Sequence, residues 1–506
     1  VTRCWEKKKL RNTIGLYLGP LLFLLLLIVP LPAGMPPMAL RVAAVAVLMA
    51  VWWITEAIPI PATALLPILL FPALGVMKGS DVTLSYANHL IYLFMGGFLI
   101  AVTVEKWNLH RRIALFTIRI VGLTPNRIIF GFMLATWFLS MWISNTAATM
   151  MMLTIAMAVI NQVVYEIDAD PQMSVDTRPG RFRFGVALML GVAYAASVGG
   201  VATLIGTPTN AVFAGIVEKI YGVSISLADW MAIGLPLSVV TLLIVWFLLT
   251  HVLHRSELDY LPGGREAICR EIDRLGSVSY QEKAVLSVFL LVAALWILRG
   301  FIPIKAFSMV DDSTIAIGGA LLLFAIPADW KKKEFLLDWQ TAVTIPWDIL
   351  ILFGGGFALA SGFSSSGLTG YLAGKLDVLQ GASIVIIIAA VATLVTFLTE
   401  LTSNTATASI TLPVMAALAE AMHVHPFGMM IAAAIAASFA FMLPVATPPN
   451  AIVFGSRYIN IQQMMKTGIW LNFIGIILVT ATVLLLVPVV WGIDITSLPA
   501  GLVHGH

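Results

Sequence analysis

The stretch "WISNTAATMMM" runs from Trp142 to Met152, and a near copy, "ELTSNTATASI", runs from Glu400 to Ile410. In both, a polar Ser-Asn-Thr interrupts the middle of an apolar run, 127–160 in the first case and 382–420 in the second. Each run is too long for one bilayer crossing of about 20 residues. Each therefore reads as a helical hairpin that enters and returns on one face. Alone, Ser-Asn-Thr is an ordinary turn or helix N-cap. Two copies at two hairpin tips, beside two proline-broken helices, point instead to a ligand site.

The rest of the chain sets the context. It has 506 residues, 60% hydrophobic and 11% charged, with a mean hydropathy of +0.97. Soluble domains carry about 25% charged residues, so this is a polytopic membrane protein. Cys4 and Cys269 lie in polar segments and form no disulfide framework or metal motif. Crossings are expected near 13–31, 38–55, 58–75, 88–105, 185–216, 231–252, 283–299, 312–328, 345–363, 427–455 and 467–491. The expected fold is all-α: eleven transmembrane helices plus two re-entrant hairpins. The basic N-terminus before 13–31 suggests a signal peptide, but no small-x-small site follows, so an uncleaved first span is expected.

Charge orients these spans. With the N-terminus in the cytoplasm, 23 of the 29 Lys and Arg fall on the cytoplasmic side. Arg41, Lys78, Lys219, Arg299, Lys305 and Lys375 fall outside, as does the C-terminus. This satisfies the positive-inside rule.

The chain also repeats itself. "LFMGGF" (93–98) recurs as "LFGGGF" (352–357), and "SNTAAT" (144–149) as "SNTATA" (403–408), both offset by 259 residues. "GTPTNAV" (206–212) recurs as "ATPPNAI" (446–452), offset by 240. Five crossings separate the two tips, so the halves have opposite orientation. Inverted repeats with a midplane site characterise secondary transporters, although channels can carry them too.

The breaks have a chemistry. Irregular backbone is tolerated at membrane depth only where protein or a wet cavity satisfies it. Half-helix N-termini favour anions; freed carbonyls with Ser, Thr and Asn oxygens suit a hard cation such as Na⁺. No Lys or Arg lies within 128–160, 185–216, 382–420 or 427–455. A polyanion bound there would need companion cations, because an uncompensated buried charge is expensive. An uncharged substrate would also fit. Gly96, Gly97 and Gly354 to Gly356 read as packing positions, and Met150 to Met152 as lipid-facing or packed filler. Glu400 reads as an orienting or interfacial acid, Glu56 as structural, and His423 and His425 as loop residues. The segment 108–122 reads as an amphipathic helix on the cytoplasmic surface, with 364–379 as its outer counterpart. Both are candidate arms, or simple linkers.

Over almost its whole length the chain resembles the divalent anion/sodium symporter family, the INDY-type di- and tricarboxylate transporters. The resemblance rests on "WWITEAIPIPATALLPILLFPALGV", "VEKWNLHRRIAL", "SMWISNTAAT", "YAASVGGVATLIGTPTNAV", "TELTSNTAT" and "SFAFMLPVATPPNAIVFG". It implies one Na⁺ site at Ser140, Ser144, Asn145 and Gly206, and a second at Thr399, Thr402, Asn404 and Ala446. It implies substrate carboxylates at Asn145, Thr146, Thr207, Asn404, Thr405, Thr447 and Pro448. Thr209, where such motifs often have Pro, is a departure expected to matter little.

The resemblance also implies a homodimer in the cell's inner membrane that works by an elevator motion, with lipid but no nucleic acid as partner. The expected division is 1–37 (N-terminal segment and first span), 38–105 (scaffold and first-repeat spans) and 106–126 (interfacial helix). Then come 127–230 (transport domain, first hairpin and broken helix), 231–344 (scaffold spans and loops) and 345–381 (span and outer helix). The last units are 382–460 (transport domain, second hairpin and broken helix) and 461–506 (last span). The expected function is Na⁺-coupled symport of C4-dicarboxylates such as succinate, fumarate and malate. A Na⁺-independent exchanger, a citrate or other divalent-anion symporter, and an anion channel are the alternatives. No HExxH, GxSxG or GxGD pattern occurs, so an enzyme is not expected.

Overall fold

The computed structural model describes residues 2–499, apart from 123, 171, 172, 174, 259, 300–308 and 377–382, together with residue 502. Lys305, the tail of the expected outer helix (377–379) and the side chains of Arg3, Cys4 and Lys7 to Lys9 lie outside the described part.

The first two helices, α1 (Thr2–Ile28) and α2 (Pro37–Thr55), pair antiparallel. Gly15 and Gly19 make the close approach possible: a Cβ on Gly15 would strike Thr55, and one on Gly19 would lie 2.6 Å from Trp52 Nε1. The expected crossing at 58–75 is not one helix. It divides into α3 (Ile60–Thr63) and α4 (Leu66–Ala73). Pro59, Pro61 and Pro67 have no N–H for the i−4 ladder, so the chain restarts at each turn. The 14 residues would reach only about 21 Å even as one helix, short of the roughly 30 Å hydrocarbon core.

Next come α5 (Gly79–Leu84), α6 (His89–Lys106) and α7 (Leu109–Val121). The last is the amphipathic helix expected at 108–122: Leu109, Ala114, Leu115 and Ile118 are buried while Phe116 and Ile120 are exposed. The first Ser-Asn-Thr separates α8 (Pro125–Ser140) from α9 (Asn145–Ala169). At 25 residues α9 is by itself long enough to cross a bilayer. Asn161, Gln162, Glu166 and Asp168 make its last third more polar, although Val163 and Ile167 there remain buried.

The expected span 185–216 is two helices, α10 (Arg183–Val201) and α11 (Pro208–Tyr221). Nearly all of α10 is buried, the signature of a helix at the centre of a bundle. Its Gly191 and Gly199 admit α8, where a Cβ would meet Met133 and the Trp137 backbone. Then follow α12 (Leu227–Phe247), α13 (Gly264–Leu275), α14 (Tyr280–Arg299) and α15 (Asp312–Ala325). A small ribbon of β1 (Pro327–Asp329) and β2 (Glu334–Phe335) is a local exception to the all-α expectation.

After the short α16 (Trp339–Ala342), α17 (Trp347–Ser365) and α18 (Leu368–Leu376) lead to the second hairpin, α19 (Ile384–Thr399) and α20 (Asn404–Ala421). The second broken helix is α21 (Pro426–Ala436) and α22 (Pro448–Gly455), and α23 (Ile461–Ala481) and α24 (Val487–Trp491) complete the described chain. Among the described residues nine helices are long and apolar enough to cross a membrane. They do not map one-to-one onto the eleven expected crossings: 58–75, 185–216 and 427–455 are each broken, and α15 has only 14 residues.

The two repeats interlock. α22 packs on α9 and α10, and α11 packs on α20 and α21. Tyr194 donates to the Phe441 carbonyl at 2.9 Å, and the Thr209 and Ser438 hydroxyls bond at 2.7 Å. Thr209 thus has more weight than expected, because its hydroxyl ties one repeat to the other.

Candidate functional site

Each tip is built the same way. Ser140 Oγ, at the end of α8, donates to the Ala196 carbonyl at 2.8 Å and lies 2.5 Å from the Asn145 side chain. Thr399 Oγ1, at the end of α19, lies 2.9 Å from the Ala437 carbonyl and 2.7 Å from the Asn404 side chain, and its one O–H donates to one of them. Ser140 and Thr399 are fully buried. The repeat in sequence is therefore a repeat in hydrogen bonding: hydroxyl, asparagine and a carbonyl from the end of a broken helix.

At the first tip the Asn145 amide faces only oxygens. Ser140 Oγ lies at 2.5 Å, and Ala196 O and Gly206 O each at 3.3 Å. Nitrogen inward, the amide donates to both carbonyls. Oxygen inward, it completes a ring of four neutral oxygens: Ser140 Oγ, Asn145 Oδ1, Ala196 O and Gly206 O. Freed carbonyls and side-chain oxygens of this kind are what a hard monovalent cation takes as ligands. Space here is tight. A Cβ on Gly206 would lie 2.5 Å from Gly200 O, and one on Gly200 would lie 2.8 Å from Asn145 Oδ1.

Two further asparagines hold the breaks open. Asn210 Nδ2 donates to the Thr203 carbonyl at 2.8 Å and, more weakly, to those of Gly200 and Val201. Asn450 Nδ2 donates to the Ala440 and Leu443 carbonyls at 3.1 Å each. Both are fully buried and occupy the Asn of the proline motifs, where each satisfies carbonyls that the broken helix cannot.

The repeats differ at one point. Glu400, 3% exposed, accepts from the backbone N–H groups of Phe441 (2.8 Å), Met442 (2.9 Å) and Leu443 (3.0 Å), and from Asn472 Nδ2 (2.8 Å). Its carboxylate pins the second break, the orienting role expected of it. Its repeat counterpart is Met141, whose carbonyl accepts from Thr203 Oγ1 at 2.6 Å. One break is thus held by a carboxylate from the tip, the other by a hydroxyl from the break itself.

All the expected substrate residues come together. Asn145, Thr146, Thr207, Asn404, Thr405, Thr447 and Pro448 line one cavity of 680 Å³, with Ser144, Gly206, Thr402 and Ala446. Four helix N-termini open onto it: those of α9, α11, α20 and α22. Each contributes roughly half a positive charge, about two charges in total. Pro448 and Pro449 have no N–H, and the Asn450 N–H is used by Thr447 Oγ1 at 3.3 Å. α22 therefore offers its dipole and the Thr447 hydroxyl rather than backbone donors. Apolar Phe98, Ile205, Leu352, Leu401 and Val445 complete the walls.

Two residues in the expected cation sites already have partners. Ser144 Oγ accepts from the Ala147 N–H at 3.2 Å as the N-cap of α9. Thr402 Oγ1 bonds to the Leu398 carbonyl at 3.0 Å and the Thr407 hydroxyl at 2.6 Å. Sequence reasoning missed the Ala196 and Ala437 carbonyls, because backbone ligands carry no residue signature. Asn210 and Asn450 stand at a readable 240-residue offset in the repeated motifs, but only their buried hydrogen bonds reveal their role. Sequence reasoning also missed Arg11, Glu56 and Asp348, which line the same cavity from outside the repeated motifs.

Comparison with known proteins agrees with this architecture. A Staphylococcus saprophyticus protein described as sodium-dependent dicarboxylate transporter SdcS is 45% identical over 489 residues, covering 96% of this chain and 93% of that one. Its namesake from Staphylococcus aureus strain MRSA252 is 46% identical over 498 residues, covering 97% and 95%. Two solved structures share the fold at 14% identity. The Alcanivorax borkumensis YdaH transporter has a TM-score of 0.54 over 81% of this chain and 88% of its own. Neisseria gonorrhoeae MtrF has a TM-score of 0.53 over 80% and 84%. Residues 11–497 match the family described as the sodium:sulfate symporter transmembrane region. The chain is thus a multi-pass membrane protein of a transporter family rather than an enzyme family: it belongs to the sodium:sulfate symporters, the family expected from its motifs.

Proposed function

We propose that this protein is a Na⁺-coupled symporter that moves C4-dicarboxylates across the cell's inner membrane by an elevator motion. The observation that carries the reading is one cavity onto which four helix N-termini and both Ser/Thr-Asn tips converge. The four N-termini, at about half a charge each, supply about two positive charges, a match to a dianion. The tip hydroxyls and amides supply hydrogen-bond donors, and the apolar walls suit the carbon chain between two carboxylates. Oxygen rings just behind the tips suit Na⁺, which would complete the compensation that no Lys or Arg in those segments provides. Neutral oxygen-rich clusters at both tips, and relatives 45–46% identical over nearly the full length that are described as sodium-dependent dicarboxylate transporters, favour symport over exchange.

In this reading 127–230 and 382–460 form the transport unit, with hairpins that re-enter from opposite faces. The spans of 38–105 and 231–344 form the scaffold, which pairs with a second copy. The interlocking of α9, α10 and α22 with α11, α20 and α21 supports treating both repeats as one moving body. Arg11, Glu56 and Asp348 lie at span ends that charge bias assigns to the cytoplasm, so the cavity here faces inward. The test is succinate uptake into proteoliposomes with and without an inward Na⁺ gradient. Saturable uptake that needs Na⁺ is expected. Uptake indifferent to Na⁺ but driven by internal dicarboxylate would make this an exchanger, and non-saturating conduction would make it a channel.

A further inference from the structure

The neutral transport cavity has a charged mouth. Among its described lining residues Arg11 is the one cation, and Glu56 and Asp348 are the acids. Arg11 belongs to the N-terminal flank whose basic residues are adequately explained by membrane orientation. Its placement is more specific than that. Arg11, Gly15 and Gly19 are spaced by four and so share one face of α1. Gly15 and Gly19 press that face onto α2, and the Trp52 indole donates to the Gly15 carbonyl at 3.1 Å. This seats the guanidinium over the end of α2. There Glu56 caps the helix at φ 50°, a left-handed conformation uncommon for a non-glycine residue.

The contact between them is loose. One Arg11 nitrogen, Nη2, lies 3.4 Å from Glu56 Oε1, with the side chains 38% and 36% exposed. It is not the two-bond fork that arginine forms with a well-placed carboxylate. Arg11 Nε is buried and finds no hydrogen-bond partner among the described residues. The guanidinium therefore keeps donors in hand while it faces the cavity. A dianion leaving or entering at this mouth meets two carboxylates and one arginine whose fork is unfilled.

We propose that Arg11 is a substrate-positioning residue at the cytoplasmic mouth, which exchanges its contact with Glu56 for a substrate carboxylate as the dicarboxylate passes between solution and the tips. This rests on the dicarboxylate reading above. It assigns the residue to one side of the transport cycle. α1 packs on α2, one of the scaffold spans in that reading, so once the transport unit moves away Arg11 no longer faces the site.

Sided kinetics test this. The full-length chain is studied in right-side-out and everted membrane vesicles at saturating Na⁺, with succinate varied on one face at a time. Arg11→Gln should raise the cytoplasmic-face KM at least fivefold while the outer-face KM stays within twofold. Arg11→Lys should retain most of the affinity, and Glu56→Gln, which frees the guanidinium, should lower the cytoplasmic-face KM. An unchanged KM in Arg11→Gln, or an equal rise at both faces, overturns the proposal. So does full recovery in the Arg11→Glu, Glu56→Arg double variant, which would show that only the pair matters. If Arg11→Gln fails to insert, Glu56→Gln decides, and a KM unchanged or raised there overturns the assignment. Absence of Na⁺-dependent succinate flux in the unmodified chain would overturn the transport reading and this assignment with it.

Discussion

Replacing Glu400 with Gln should weaken Na⁺ binding far more than any single change at the equivalent place in the first repeat. Glu400 meets four donors: three successive backbone N–H groups and the Asn472 amide. An ionised carboxylate, which only accepts, matches that set. Gln keeps one oxygen for Phe441, Met442 and Asn472 but turns an NH₂ toward the Leu443 N–H. Each bond to a charged acceptor is worth about 1.5–3 kcal/mol and each neutral one about 0.5–1.5, while an orphaned buried donor costs about 1–3 kcal/mol. The gross loss is about 6 kcal/mol, roughly 4 from three weakened bonds and about 2 from the orphaned donor. It falls on the segment that carries Ala446 and Thr447 to the cavity. If only 1.4 kcal/mol of it reaches the proposed second cation site, half-saturating Na⁺ rises about tenfold. In the first repeat the tip is tied to the break by one neutral bond, from Thr203 to the Met141 carbonyl. Thr203→Val should therefore cost about 1 kcal/mol, fivefold at most. The assay is Na⁺ titration of succinate uptake, paired with Na⁺-dependent thermal stabilisation of the purified protein. Half-saturation within twofold of the parent in Glu400→Gln, or a larger effect in Thr203→Val, would refute the view that this carboxylate holds the second break.

Ser140→Ala and Thr399→Ala should each reduce Na⁺-dependent uptake at least tenfold, with Thr399→Ser near normal; equal activity in all three would separate the tips from cation binding. Gly206→Ala should abolish transport, because its Cβ would fall 2.5 Å from a backbone carbonyl. Gly96→Ala should lower thermal stability by about 1–3 kcal/mol, since its Cβ would lie 2.6 Å from the Ala316 backbone, whereas Gly97→Ala has its nearest neighbour at 3.8 Å and should be silent. Lys106 bonds to Asp338 at 2.5 Å and holds that carboxyl below its ordinary value of 3.8. That contribution is complete above pH 3.8 and is lost as pH falls through the depressed value, so Lys106→Met should lower thermal stability at pH 7 by at most about 1 kcal/mol, a gap that closes only in strong acid.

Membrane insertion and the pairing of "SNTAAT" with "SNTATA" were legible in residue type and spacing alone. Hydropathy depends on composition, and a tip needs polar groups wherever a helix stops inside apolar surroundings. The segment 58–75 was misjudged for a related reason. Its composition is as apolar as any span, but Pro59, Pro61 and Pro67 remove the backbone donors a continuous helix needs. Of the glycines read as packing positions, Gly96, Gly354, Gly355 and Gly356 face Ala316, Tyr86, Ala64 and Ser409 closely, whereas Gly97 has no neighbour nearer than 3.8 Å.

The sequence by itself determined where the helices must break and which neutral oxygens stand at each break, because proline, glycine and Ser-Asn-Thr act on their own few residues. Tertiary structure decided which breaks face one another. The Ala196 and Ala437 carbonyls join their rings only because α10 and α21 bring them beside hairpin tips remote in the chain, and a carbonyl looks alike in every residue. Glu400 reaches a break some 40 residues on, and Arg11 reaches a cavity whose tips, from Ser144 onward, lie more than 130 residues away. Such long-range placement follows from packing, which local sequence pattern does not encode.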